Sequence, residues 1–485
     1  MCTPKIAFIR LVAICLGFLL SPFFERSNVA QEVGDRVVVT ANFDMLLKDK
    51  KVAKVFEGNV HTVTASQGKW RMLNDKKGWL PAEYIMNLDM GIKHFSKRIA
   101  ENENDYIAYA HRGMIYHEKE AYARAFGDLN QSLNLNDKNP VSWMNRGMVL
   151  KAQGKFQLAA RDMAKSIELN PKLANGHFNI GLVFYALNDH QQAIKAFNRA
   201  IELDETHPLW FVSRGSAKLA NSDADGARED YELAIKLNKR LADAYVGLSN
   251  LSLIKGDLDQ AFKYANEAVE IQPSNAMGLN SRGWILFKQG NTDDAILDLS
   301  RAIRRAPQLS IAYGNRGVCY VSKNEFDKAI NDHTRHHEIA PGSPFALANR
   351  AVAWLGKGDF AKAKKDFEAA EKIAPDLDET LNGFAWFLAT CPTADFRDGK
   401  MAIEKATAAC ESSKYKDWSQ LNTLAAAHAE SGNFDQALKW IEKALELAPE
   451  NKKPLCKKLM KKFQAKQAFR IVVGKNSEQS ILQSN

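Results

Sequence analysis

The chain has 485 residues, too many for one ordinary core, so several domains or a repeat array are expected. With 46% hydrophobic and 25% charged residues it has the composition of a soluble globular protein, which argues against a disordered or fibrous chain. The formal charge of +9 does not mark a nucleic-acid surface: Lys452 to Lys475 carries nine Lys/Arg and no Asp/Glu, so the rest is close to neutral.

Lys5 and Arg10 precede the apolar run "LVAICLGFLL", Leu11 to Leu20. Ten residues suit the core of a signal peptide and are too few to span a bilayer. A leader over 1–30, cleaved near Ala30, is expected, which makes the mature protein exported, periplasmic or extracellular. Asn28 is large for the place two before a cleavage residue, so an uncleaved anchor is the alternative. Cys15 follows Ile14, a poor setting for lipid attachment.

Residues 31–90 change character, with short alternating runs separated by charged turns. Such spacing predicts a small barrel. The series "VGDRVVV", "EGNVHTV", "GKWRML" and "KGWLPAEYI" resembles bacterial SH3-like domains, with Trp70, Gly78, Trp79 and Tyr84 carrying most of the match. The acidic and aromatic loops that make a polyproline groove are missing, so proline-motif binding is not expected. Residues 91–105, "GIKHFSKRIAENEND", predict a lone helix packed on the first repeat.

From residue 106 a period of 34 governs the sequence. Gly113, Gly147, Gly181, Gly215, Ser249, Gly283, Gly317 and Ala351 follow one another at that interval, and an alanine stands twelve residues after each, Ala125 to Ala363. Prolines 171, 273, 307, 341 and 375 close many blocks. This pattern resembles the tetratricopeptide repeat (TPR), a helix–turn–helix unit. The resemblance implies a mainly α fold, a right-handed superhelix of about ten units behind the small SH3-like β-barrel. Eight units fill 106–377. A ninth, 378–417, carries five extra residues in its turn ("TCPTADFRDG"), and a tenth fills 418–451. A basic capping helix is expected over 452–471, with Leu455, Leu459 and Phe463 on one stripe, and a tail over 472–485. The lysines of this helix leave an anionic partner, membrane lipid or acidic protein, as the alternative to a simple cap.

Arginine occupies the seventh place of six blocks: Arg112, Arg146, Arg214, Arg282, Arg316 and Arg350. Aspartate occupies the twenty-third place of the same six: Asp128, Asp162, Asp230, Asp298, Asp332 and Asp366. Where one is lost so is the other, as at Ile180 with Ala196 and Leu248 with Tyr264. Two such sets coincide by chance about once in 210, and co-variation implies contact. Both places lie seven or eight residues from the turn, so a forked arginine–carboxylate pair is predicted to join the two helices of a unit. These are structural ion pairs, outside any ligand site.

No nucleotide loop, GxSxG or HExxH occurs, and an enzyme is not expected. His333, His336 and His337 have a spacing that could ligate a metal, but they take places where other units put apolar or small residues. Packed or solvated histidines are the plainer reading, with no metal or cofactor. Cys319, Cys391, Cys410 and Cys456 are scattered and read as buried free thiols, with no disulfide between Cys391 and Cys410.

The TPR resemblance implies that the second, fifth, sixth and ninth places of each first helix line a concave groove. The sixth place holds Asn145, Asn179, Asn315 and Asn349, with Ser213 and Ser281 in two other units. Met144, Met148, Phe178, Asn250 and Trp284 are their neighbours on this face. Asparagine donates and accepts, so a ladder of them could hold an extended peptide; the plainer reading is that they face water. The lysine-rich carboxylate clamp of chaperone-binding TPRs is missing. The expected function is therefore a non-catalytic scaffold that binds a segment of another protein, with no nucleic acid. The alternative is an envelope anchor whose SH3-like domain binds cell-wall material, with the repeats as spacer and contact with the membrane.

Overall fold

The computed structural model describes residues 36–39, 43–47, 50–55, 60–67, 70–73, 79–81 and 85–473. The expected leader over 1–30, the residues Gly78 and Tyr84, and most of the tail lie outside the described residues. The chain divides into two compact units, one up to Ala227 and one from Arg228.

In the first unit, β1 (Arg36–Val39), β2 (Phe43–Leu47), β3 (Lys50–Val55), β4 (Val60–Gln67), β5 (Trp70–Leu73), β6 (Trp79–Pro81) and β7 (Ile85–Asn87) form an antiparallel sheet of order β3-β2-β6-β5-β4-β1-β7. Its ends are β3 and β7, so it is a small open sheet. Val37, Val38 and Val39 are all fully buried, unlike the alternation of a strand with one wet face. The helix α1 (Leu88–Glu101) covers this part of the sheet, where a Cβ on Gly91 would stand 2.6 Å from Val38 Cγ1. The Asn87 side chain caps α1 by accepting from Met90 N at 2.9 Å. That cap starts the helix three residues earlier than the predicted 91, and the helix ends at Glu101. Phe95 and Ile99 of α1 pack with Val38, Met86, Ala108 and Ile115, joining the sheet to the first helix pair.

The helix pairs follow at the predicted interval. The first unit holds α2 (Tyr106–Glu118), α3 (Tyr122–Leu135), α4 (Pro140–Ala152), α5 (Phe156–Leu169), α6 (Ala174–Ala186), α7 (His190–Leu203) and α8 (Pro208–Ala220). The division falls inside α9 (Ala224–Leu237). The second unit continues with α10 (Ala242–Ile254), α11 (Leu258–Ile271), α12 (Ala276–Lys288), α13 (Thr292–Arg305), α14 (Ser310–Ser322) and α15 (Phe326–Ile339). Then come α16 (Pro344–Lys357), α17 (Phe360–Ile373), α18 (Asp378–Thr390), α19 (Gly399–Ser412), α20 (Trp418–Glu430), α21 (Phe434–Leu447) and α22 (Lys453–Gln464).

Small residues set the approach of the two helices in a pair. Each alanine from Ala125 to Ala363 at the 34-residue interval is fully buried. Opposite them, a Cβ on Gly147 would lie 2.8 Å from Met163 Cγ, and one on Gly181 only 2.6 Å from the Phe197 ring. Where Ser249 replaces the glycine, its hydroxyl donates to Ala261 O at 2.8 Å and the facing residue is the small Ala265. The turn between helices needs a left-handed residue: Gly154, Gly256, Gly290, Gly358 and Gly432 all have φ between 73° and 89°. Asn170, Gln272, Ala306, Ala340 and Ala374, each just before a closing proline, cap their helices with φ between −129° and −141°, an extended conformation that the following ring tolerates and that Asn136 and Asp204 adopt without one.

In the ninth pair the inserted residues form a 3₁₀ turn, Ala394–Phe396, before α19. The basic cap α22 buries Cys456, Leu459 and Phe463 and ends at Gln464, short of the expected 471. Lys466 takes a left-handed φ of 53° and turns the chain back. Residues 468–473 then run along α18: Ile471 N donates to Thr390 O at 3.0 Å, and Arg470 pairs with Glu430 at 2.5 Å. Phe469 is buried 5.9 Å from the Trp386 ring.

Candidate functional site

The arginines meet their aspartates across the two helices of a pair. In Arg112–Asp128, Arg146–Asp162, Arg282–Asp298, Arg316–Asp332 and Arg350–Asp366, Nε donates to Oδ2 and Nη2 to Oδ1 at 2.6–3.1 Å. For the sixth couple, Arg214 belongs to the first unit and the buried Asp230 to the second. An aromatic residue three places earlier lies under several guanidinium groups, closest at Trp143, 4.6 Å from Arg146. For Arg316, burial works against the charge, but the Asp332 hydrogen bond and its attraction hold the group above the ordinary arginine value.

Sequence reasoning missed the third contact of these arginines. Nη1 donates to Ser96 from Arg112, to Asn130 from Arg146, and to Asn198 from Arg214, at 2.8–3.0 Å. In the second unit it reaches Asn266 from Arg282, Ser300 from Arg316 and Thr334 from Arg350, at 2.8–3.2 Å. Every partner lies sixteen residues back, on α1 for Ser96 and on the second helix of the preceding pair for the others. Each of the five forked rungs therefore ties three helices and crosses the joint to the preceding helix. The signal is present in the sequence: sixteen residues before Ile180, Leu248 and Phe384 stand Ala164, Glu232 and Glu368, with no small hydroxyl or amide.

The histidines sit in the core. His333 is fully buried against Gly317, whose Cβ would lie 2.5 Å from the ring, and His336 is buried beside Gly314. Leu129, Met163, Phe197 and Leu299 fill the His333 place in other pairs. Burial, then the nearby His336 and Arg350, lowers the His333 pKa to about 3. Both its ring nitrogens lack a hydrogen-bond partner. Among the described residues no group of three or more His, Cys, Asp or Glu is arranged to hold a metal ion. Cys319, Cys391, Cys410 and Cys456 are buried free thiols, and burial pushes Cys319 and Cys410 up to about 12. No helix of the described residues is long and apolar enough to cross a membrane.

The groove residues divide between the units. In the first unit Asn145 is buried, and Asn179 donates to its own helix at Asn175 O, 2.8 Å away. Phe178 is half-buried and stacks on Trp210 at 5.5 Å, while Met148 packs on the cluster of Leu150, Met163 and Ile180. Met144 is half-buried. In the second unit Asn315 donates to Asn280 Oδ1 at 3.0 Å, and Ser281 donates to Asn250 Oδ1 at 3.2 Å. Asn349 and Trp284 line a cavity of about 1140 Å³. Part of its wall comes from places two, five, six and nine of the first helices, among them Phe345, Val352, Glu379, Asn382, Trp386 and Asn422, and part from second helices, turns and the start of α22.

Models of the tetratricopeptide repeat match residues 140–173, 174–207, 212–276, 280–344 and 418–451. Over these residues the chain carries tetratricopeptide repeats. Such repeats are typical of protein–protein interaction scaffolds, generally non-catalytic, that bind other proteins or peptides. Among solved structures, the human IFIT1 dimer is 16% identical, with 75% of this chain and 95% of that chain covered and a TM-score of 0.47. A tetratricopeptide repeat protein from Parabacteroides merdae is 17% identical over 51% of this chain and 98% of that one, TM-score 0.44. YrrB, described as a TPR protein with an unusual peptide-binding site, is 22% identical over 39% and 97%, TM-score 0.27. All three scores lie below 0.5. No curated protein matches the sequence.

Proposed function

We propose that the chain is a non-catalytic scaffold that holds an extended segment of another protein against the first helices of its repeats. The observation that supports this reading most is the 1140 Å³ cavity of the second unit, whose wall mixes amides with the apolar Trp284, Phe345 and Val352. Amides serve the backbone of an extended segment and the apolar surfaces its side chains. The asparagines contribute on the order of 1 kcal/mol each through main-chain hydrogen bonds. Changing Asn145, Asn179, Asn315 and Asn349 together to alanine is expected to abolish partner capture from an envelope extract with helicity retained, the melting temperature falling only by what the lost Asn315–Asn280 hydrogen bond contributes. The control pair Lys195→Ala and Lys263→Ala, both exposed on second helices, should leave capture intact. Capture lost in the control and kept in the asparagine set would place binding on the other face.

Export follows from the leader-like run Leu11 to Leu20. The mature protein is expected to begin near Gln31, which intact-mass measurement reads directly. Retention of Met1 would instead mean an anchor or a protein that stays in the cytosol. The segment 31–90 is the SH3-like module of this scaffold, and the basic α22 is its solvating cap.

A further inference from the structure

The polar groups on the first helices of the second unit are not all in the same state. In α10, α12 and α14 they pair with one another, Ser281 with Asn250 and Asn315 with Asn280. In α18 and α20 several have no such partner. Thr380 Oγ1, Asn382 Oδ1, Trp386 Nε1 and Asn422 Oδ1 have no hydrogen-bond partner, although all four side chains are at least nine-tenths buried and line the cavity. A buried polar atom without a partner is unfavourable, so four on two neighbouring helices mark a place made for something else to fill.

The charges near these atoms indicate what fills it. Glu379 lines the same wall, as does Asp417, the cap of α20, which accepts from Ser419 N and Gln420 N. Asp378 accepts from Gln420 Nε2 at 3.0 Å, which ties the start of α18 to α20. A hydrogen bond shared between Asp378 and Glu379 lifts the Glu379 carboxyl above the ordinary value, and the negative charges of Asp378 and Asp417 act in the same direction. Lys288 and Lys452 also line the cavity: Lys288 feels burial and then the charge of Lys452, its ammonium lies 4.9 Å from Trp284, and Lys452 heads α22, which packs on α20 and α21. The α18/α20 wall therefore offers three oxygen atoms without partners and a surplus of carboxylates.

We propose that α18 and α20 form a pocket for the basic side chain, lysine or arginine, of the bound protein segment, with Thr380, Asn382 and Asn422 accepting its N–H groups and Glu379 supplying the counter-charge. A guanidinium or ammonium is rich in donors and carries no acceptor, which suits a wall whose unpaired oxygens outnumber its unpaired nitrogens. Trp386, held from behind by Phe469, offers the side of its ring to the aliphatic stem. The pocket rests on the scaffold reading above, because it supposes that a protein segment enters the cavity.

The test uses the full mature chain and fluorescein-labelled triarginine, tricitrulline and triglutamate, read by fluorescence anisotropy. Citrulline keeps the shape of arginine and loses its charge. Triarginine is expected to bind at least about tenfold more tightly than tricitrulline, with triglutamate not binding, since one charge-assisted hydrogen bond is worth about that factor. Glu379→Gln, at an exposed position, and Asn382→Leu with Asn422→Leu should each weaken triarginine by about tenfold. Circular dichroism melting shows whether the second variant folds, and Glu379→Gln decides if it does not. Equal binding of triarginine and tricitrulline, or triarginine binding untouched by Glu379→Gln, overturns the pocket. Natural partner capture that survives with no triarginine binding sinks the pocket and leaves the scaffold reading standing. Triarginine binding with capture unaffected by the asparagine set does the reverse.

Discussion

Arg316→Ala is expected to destabilise the protein more than the double change Arg316→Leu/Asp332→Ala. The single change strands the Asp332 carboxylate, 6% exposed, and removes the donors to both its oxygens and to Ser300. Breaking a fully buried pair from one side costs roughly 3–5 kcal/mol, and a side chain of Arg316 that is 18% exposed lowers that toward the bottom of the range. The double change restores the solution already used by Ile180 with Ala196, an apolar couple at the same two places. Thermal unfolding followed by circular dichroism separates the outcomes. Equal melting temperatures for the two variants would mean a pair screened by water, worth no more than about 1 kcal/mol. The contact to Ser300 adds a second expectation: loss of Arg316 should loosen the joint between successive repeats, so hydrogen exchange should rise in α13 as well as in α15.

The repeat was legible because its determinants are local and recur. A glycine or alanine that lets two helices touch is needed at the same step of every unit, as Gly147 against Met163 shows. The two-helix part of each rung was legible from co-variation, since neither Arg nor Asp occurs alone at those two places in this chain. The link to the preceding unit was missed because Ser96, Asn130 and Thr334 differ in kind and share only the ability to accept a hydrogen bond. The end of α22 was misplaced for another reason: Leu455, Leu459 and Phe463 keep a helical stripe, and nothing in "QAKQAFRIVV" stops it before Lys466 turns left-handed. Residues 468–473 are fixed by contacts with α18 more than 80 positions earlier, Arg470 reaching Ala389 O. The site was legible only as a set of places. Whether an amide at such a place is spent depends on the next helix: Asn315 finds Asn280, whereas Asn382 Oδ1 finds nothing.

His333→Leu is expected to raise the melting temperature at neutral pH and to blunt unfolding in acid. Leucine fills this place at Leu129 and Leu299, so the substitution suits the packing between the two helices of a pair. It removes two buried ring nitrogens that have no partner, a gain of about 1–3 kcal/mol. The acid effect follows from the lowered pKa. With the folded value near 3 and the ordinary value 6.5, the unfolded chain takes up a proton between those limits and the folded chain does not. The stability contributed by the neutral ring is thus whole above pH 6.5 and drains away as pH falls toward 3. At pH 5 the loss from this one residue is about 2 kcal/mol. The groups that face the ring act in the same sense, since His336 and Arg350 both disfavour a second positive charge. His336, itself lowered by burial and then by His337, leaves a smaller acid sensitivity in the variant. Melting curves from pH 7.5 to pH 4.5 for the two proteins should therefore diverge as the pH falls. Parallel curves would mean that the ring already has a partner or a path to water.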